Sequence, residues 1–308
     1  MKKFLTRLVL FTLLISAIIL VILYQFGGYV DYFYLKFTSP PQHSMIFGDS
    51  RSFQGIQPRI INKTLRLEPP MYNYSFTLGQ VAYGDSYLNS IKAKLDKSRT
   101  DGLFIISVHP WVLAERENEN HSKGIFFESD LPPHNMRFPS MNPNVEYFFK
   151  NYSFFHFKAI FRRISLVHDD GWLELTPVEI DLDTERKVKP DELARYTGFA
   201  KTWTNSPYRL SKLAETVSYL QKYGKVILVR MPVSPELYQI ESKFSPYFTK
   251  NLENLSSKTG AAYFDFSHAS DSYPTYDGQH LTNESSDHFT KTLCDSINLT
   301  TLNNQVKP

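Results

Sequence analysis

The chain has 308 residues, 42% of them hydrophobic and 21% charged, with a formal net charge of +3. This fits one large globular domain or two small ones and excludes extended disorder. The cations are scattered without a basic stripe, so no nucleic-acid partner is expected, and the single cysteine, Cys294, excludes an internal disulfide or a multi-cysteine metal site.

Lys2, Lys3 and Arg7 precede an uncharged apolar run over residues 8–26. A helix of that length crosses the hydrocarbon core, and the run is too long for a cleaved signal peptide. Residues 1–27 are therefore expected to be a cytoplasmic flank and a single transmembrane anchor in the inner membrane. The positive flank stays inside, which puts the remainder on the periplasmic, extracytoplasmic side. Residues 28–43, with Pro40-Pro41 near their end, read as a juxtamembrane linker.

The domain is expected over 44–308. A short strand at 44–47 ends at Gly48-Asp49-Ser50-Arg51. Residues 70–76 are strand-like, 82–98 have helical spacing, and 103–108 form a run of the kind buried on both faces. Residues 111–207 lack a clean period and read as an inserted cap, in which the apolar stretch 145–167 is expected to be helical. Alternation resumes with a helix at 208–224, a strand at 225–233, helical sequence at 234–260 broken near Pro246, a strand at 261–267 and a closing helix from Thr282. Strands alternating with helices imply a three-layer α/β/α fold with a mostly parallel central sheet. Ligands of such sheets bind beyond the carboxyl ends of the strands. Gly48-Asp49-Ser50, Val108-His109-Pro110 and Pro232-Val233-Ser234 all fall there.

A serine hydroxyl needs a base to take its proton, and the base is commonly oriented by a carboxylate. Ser50 sits between a strand and a helix start, where backbone N–H groups can meet an oxyanion. Asp277 and His280, in "YPTYDGQHLTNES", supply a D-x-x-H turn made tight by Gly278. No nucleotide-cofactor or metal motif is present, and none is expected. Asp265 and His268 read as structural hydrogen-bonding groups and Cys294 as a core thiol. The aromatic run from Tyr147 to Phe161 reads either as core packing of the cap or as a sugar- or membrane-facing surface.

The motifs "FGDSRSFQGI" (47–56) and "DGQHL" (277–281) resemble those of the SGNH (GDSL-type) hydrolase superfamily. With the N-terminal anchor, and with "NYSFTLG" (73–79) and "VRMPVSPELY" (229–238), the pattern is similar to the membrane-anchored DltD-like and AlgJ-like branch, associated with acyl modification of envelope polymers. The resemblance implies Ser50 as nucleophile, His280 as base and Asp277 as its orienting partner. It also implies an acyl donor and a glycan acceptor as partners, with a membrane-bound O-acyltransferase as a further one. Asn73 or Gly79 would add an oxyanion donor to the Ser50 N–H. Arg51 would bind an anionic substrate group or pair with an acid, and His109 would line the crevice or serve the structure. The G-x-N-D block typical after the third strand is replaced by Ser107-Val108-His109-Pro110. The function implied is a serine O-acyltransferase or esterase acting on an envelope glycan. The alternative is a catalytically weak scaffold of the same fold.

Overall fold

Five short strands form the frame: β1 (Ser44–Phe47), β2 (Met71–Asn73), β3 (Gly102–Ser107), β8 (Gly224–Arg230) and β9 (Ala262–Asp265). They make one parallel sheet in the order β2-β1-β3-β8-β9. Met45 lies opposite both Tyr72 and Phe104, and Ile227 lies opposite Ile105 and Ala262. The computed structural model describes residues 1–24, 31–151, 165–175 and 182–305.

Alternation along the strands builds two cores, because successive side chains point to opposite faces. Met45, Phe47, Phe104, Ile106, Val226 and Leu228 face three helices: α5 (Asp85–Lys94), α8 (Pro207–Leu220) and α10 (Phe248–Thr259). Ile46, Leu103, Ile105, Ile227 and Val229 face α4 (Pro58–Leu65) and α11 (Asn283–Gln305). This is the expected three-layer α/β/α arrangement. Local signals set the helix ends. Ser206 caps α8 by accepting from Arg209 N at 3.2 Å, with Pro207 at the first helical position. Ser234 caps α9 (Pro235–Phe244), and Gly260, at φ +73°, closes α10.

Residues 111–207 add no strand to the five-stranded sheet among the described residues. A 3-10 turn, Pro110–Leu113, leads into β4 (Ala114–Glu115), which pairs with β7 (Thr204–Asn205). The stretch 145–167 is not one helix. It gives α6 (Val145–Asn151) and β5 (Ser165–Val167), which pairs with β6 (Leu173–Leu175) in a hairpin; residues 152–164 lie outside the described residues. A 21-residue helix, α7 (Leu182–Thr202), with Pro190 inside it, was not expected from the pattern. Its Tyr196 packs with Trp111, Val233 and Leu237 above the carboxyl ends of the strands.

The described part of the segment expected as a linker, residues 31–43, packs on the domain. Within it α2 (Tyr34–Thr38) buries Tyr34, Lys36 and Phe37 against Tyr74, Phe76 and Tyr147. Lys36 is fully buried, its Nζ over the Phe53 ring at 4.0 Å and donating to the Asn73 and Gly171 carbonyls. Ahead of it, α1 (Lys2–Tyr24) exposes its side chains through residue 19, Lys2, Lys3 and Arg7 among them. Among the described residues no helix is long and apolar enough to cross a membrane. The end of the expected span, Gln25-Phe26, lies outside them.

Candidate active site

The strand order reverses direction of winding between β1 and β3, and the crevice at their carboxyl ends is where a doubly wound sheet places a ligand. Gly48 leaves β1 there at φ +144°. A Cβ at this position would meet Ser52 Oγ at 2.4 Å and Ser107 Cβ at 2.8 Å, so only glycine fits. Asp49 then caps α3 (Ser50–Gly55), accepting from Arg51 N at 3.2 Å. Ser50 is thereby the first residue of α3, and its N–H has no partner among the described residues.

The other half of the site comes from the loop before α11. Asp277 Oδ1 accepts from the backbone N–H of Gln279 and of His280, at 3.0 and 2.8 Å, which winds the loop into a tight turn around Gly278 at φ +94°. The turn brings His280 Nδ1 to 2.6 Å from Asp277 Oδ2 and His280 Nε2 to 2.8 Å from Ser50 Oγ. A carboxylate only accepts, so Nδ1 carries the proton and Nε2 offers its lone pair to the serine hydroxyl. Burial works against the Asp277 charge, but His280 and the two backbone donors outweigh it and hold the carboxyl below its ordinary value. Tyr276 stacks on the imidazole at 5.7 Å between ring centroids, and Gly278 O accepts from Ser234 N, tying the loop to the end of β8.

Arg51 and His109, read as substrate ligands or structural groups, both turn inward. Arg51 is fully buried and donates from Nη2 to Glu241 Oε1 at 2.7 Å; Glu241 also accepts from Trp111 Nε1 and Arg230. It therefore does not reach a ligand in the crevice. His109 is buried with Nε2 2.8 Å from Asp49 Oδ2. Burial and the Arg51 guanidinium push the His109 pKa below its ordinary value, so the ring is neutral near pH 7 and donates through Nε2–H. Burial also opposes the Asp49 charge, but His109, Arg51 and His280 together hold its carboxyl at about 2. His109 thus props the carboxylate that caps α3, and does not line the crevice.

Asn73 is corrected as an oxyanion donor. Both amide hydrogens are occupied, on Ser52 O at 2.9 Å and Ile56 O at 3.1 Å, and its Oδ1 accepts from Ser75 N. It braces α3 from below. Gly79 lies exposed in the turn beyond Phe76, whose N–H bonds Gly48 O. Asp265 accepts from Ser267, and His268 packs on the Tyr238 ring. Cys294 is buried in the α11 core, where burial pushes its thiol up to about 11.

Three residues that close this site stand in no motif of their own. Gln279 Oε1 accepts from Tyr196 Oη and from Arg51 Nε, and its Nε2 donates to Glu192. Tyr196 and Glu192 belong to α7, so the cap grips the residue between Asp277 and His280. Only the position of Gln279 inside the D-x-x-H turn could have drawn notice.

No family model matches the chain, and no curated protein is similar to it in sequence. Among solved structures, it is similar to an aryl esterase of M. smegmatis, at 13% identity over 83% of this chain and 98% of the other, with a TM-score of 0.38. It is similar to Est24, a carbohydrate acetylesterase from Sinorhizobium meliloti, at 10% identity over 84% and 100%, with a TM-score of 0.40. A putative arylesterase from Agrobacterium tumefaciens stands at 11% identity over 83% and 98%, with a TM-score of 0.36. These likenesses are shallow, and what the site does rests on its own side chains.

Proposed function

We propose that the protein is a serine esterase or O-acyltransferase of the SGNH type that works through an acyl group on Ser50. The single observation carrying this reading is the continuous relay from Asp277 through His280 to the Ser50 hydroxyl. Ser50 Oγ attacks the acyl carbonyl while its proton passes to His280 Nε2. Asp277 holds the ring in register and stabilises the imidazolium. The oxyanion forms beside the Ser50 N–H. Collapse expels the alcohol of the donor, which takes the proton from His280 and leaves an acyl ester on Ser50. An incoming hydroxyl then gives its proton to His280 and takes the acyl group; water gives hydrolysis, a sugar gives transfer.

The acyl group we favour is acetyl and the acceptor an envelope glycan, with α1 as an inner-membrane anchor and the domain on the extracytoplasmic side. A membrane-bound O-acyltransferase would be the source of the acyl group. What supports this part is the motif resemblance and the apolar sequence of residues 8–26. The test is labelling of the full-length protein with a fluorophosphonate. Wild type should label and Ser50→Ala should not. Release of acetate from an acetylated glycan, compared with release from phospholipid, then fixes the substrate class.

One observation favours a second reading, a scaffold with little turnover. With the Asn73 amide occupied and His109 turned to Asp49, the Ser50 N–H is the one oxyanion donor identified among the described residues. A missing donor costs about 3 kcal/mol of transition-state stabilisation. A folded wild-type protein that never labels would select the scaffold.

A further inference from the structure

The cap carries an apolar surface that the active site does not use. Phe149 is 80% exposed, Phe138 57%, Val145 44% and Met141 37%. Val145 and Phe149 stand four residues apart on α6 and so share one face. The loop carrying Phe138 and Met141 is fastened beside that face. Glu146 accepts from the backbone N–H of Arg137 and Phe138, and Asn144 Nδ2 donates to Phe138 O at 2.6 Å. Four large apolar side chains are thus displayed together, with Arg137 exposed beside them and Lys150 paired to Glu146 at 2.7 Å.

The opposite face of α6 is bolted to the N-terminal segment. Tyr147 Oη donates to Asp31 at 2.8 Å, its ring stacks on Phe37 at 5.0 Å, and Asn144 Nδ2 donates to Phe37 O. Asp31 follows Tyr24, the last residue of α1, after six residues (25–30). So short a chain spans at most about 25 Å. The apolar helix α1 and the apolar face of α6 are therefore held within one short tether of each other.

We infer that this face of α6 and its preceding loop rests on a lipid bilayer, with the phenyl rings of Phe138 and Phe149 in the headgroup boundary and Arg137 toward anionic headgroups. The inference rests on the reading of α1 as membrane-embedded. Amphipathic surfaces of this make-up, apolar rings beside a cation, lie in the interfacial plane rather than spanning it. Docking at two points would fix the orientation of the domain, so the crevice would meet only acceptors presented at a set height above the bilayer.

The test uses the full chain in a Cys294→Ala background, reconstituted into phosphatidylethanolamine–phosphatidylglycerol vesicles. Spin labels are placed singly at Phe138→Cys, Phe149→Cys and, as a water-exposed reference, Tyr247→Cys, a residue 69% exposed. The labels at 138 and 149 are expected to lose broadening by a water-soluble nickel chelate and to gain it from oxygen, while the label at 247 does the reverse. Labels at 138 and 149 as open to the chelate as that at 247 overturn the inference. So does a label that is wet on pure lipid but dry in native membranes, which would give the face to a protein partner. Extraction by alkaline carbonate is read separately: a chain that washes off refutes the anchor, whereas label depth before washing decides the docking face.

Discussion

Gly48 sits where two requirements meet, a positive φ and a close approach of β3. Gly48→Ala would drive a methyl into Ser52 and Ser107. We expect a loss of about 2–4 kcal/mol by chemical denaturation, with fluorophosphonate labelling slowed because Ser50 shifts. Asp277→Asn is expected to leave the melting temperature near that of wild type and to lower kcat by about 10³–10⁴, since the imidazolium loses its carboxylate. That Ser50, Asp277 and His280 meet could be expected from sequence because a Gly-Asp-Ser after the first strand and a D-x-x-H before the last helix occur in one chain, although either alone is a common turn. Arg51 and His109 could not be placed so. A cation beside a nucleophile looks like a substrate ligand until its acid is found, and Glu241 lies 190 positions away in α9, beyond the end of the motif at 229–238.

The elements differ in how openly they announce themselves. Helices with a regular apolar stripe and a cap, such as α8 and α10, were legible; α7 was not, because most of its residues face solvent and Pro190 interrupts it. The stretch 145–167 is helical at its start, Val145–Asn151, and a strand at its end, Ser165–Val167, because aromatic-rich sequence without a clean period does not separate helix from strand. Among these elements α3 has only six residues, too few to hold itself, so its position depends on what grips it. Asn73→Ala removes two bonds to its carbonyls and should cost about 2–3 kcal/mol of stability. Were Asn73 an oxyanion donor, activity would instead fall about 10²–10³-fold with stability unchanged. Measuring both on one variant decides. The grip of α7 on Gln279 belongs to the same scale: Glu192→Ala is expected to lower kcat more than it lowers melting temperature.

For the molecule as a whole, buried bases shape stability against pH. Burial lowers the Lys94 pKa from 10.5 to about 7, its Nζ donating to Ser39 O, Pro139 O and Ser140 Oγ, and lowers that of Lys36 as well. Between about pH 7 and 10.5 the unfolded chain holds the Lys94 proton and the folded chain does not. Unfolding then takes up protons, so stability rises with pH across that window. His109 and His134, also lowered by burial, add the same slope just below their ordinary 6.5. Above about pH 10 the slope reverses, because Tyr74, Tyr83 and Tyr87 stay protonated when folded and ionise when unfolded. Urea denaturation should therefore find maximal stability near pH 9–10, and Lys94→Met should flatten the rise, worth on the order of 3–5 kcal/mol. The three-layer fold was legible at this scale because strand and helix periods alternate. The buried lysines were not, since nothing in a sequence separates a lysine under aromatic rings from one in water.

The serine and the imidazole that meet at 2.8 Å are 230 positions apart in the chain. A chain still emerging from the ribosome carries the hydroxyl without its imidazole. The hydroxyl stays an ordinary alcohol until the final loop and helix have joined the sheet.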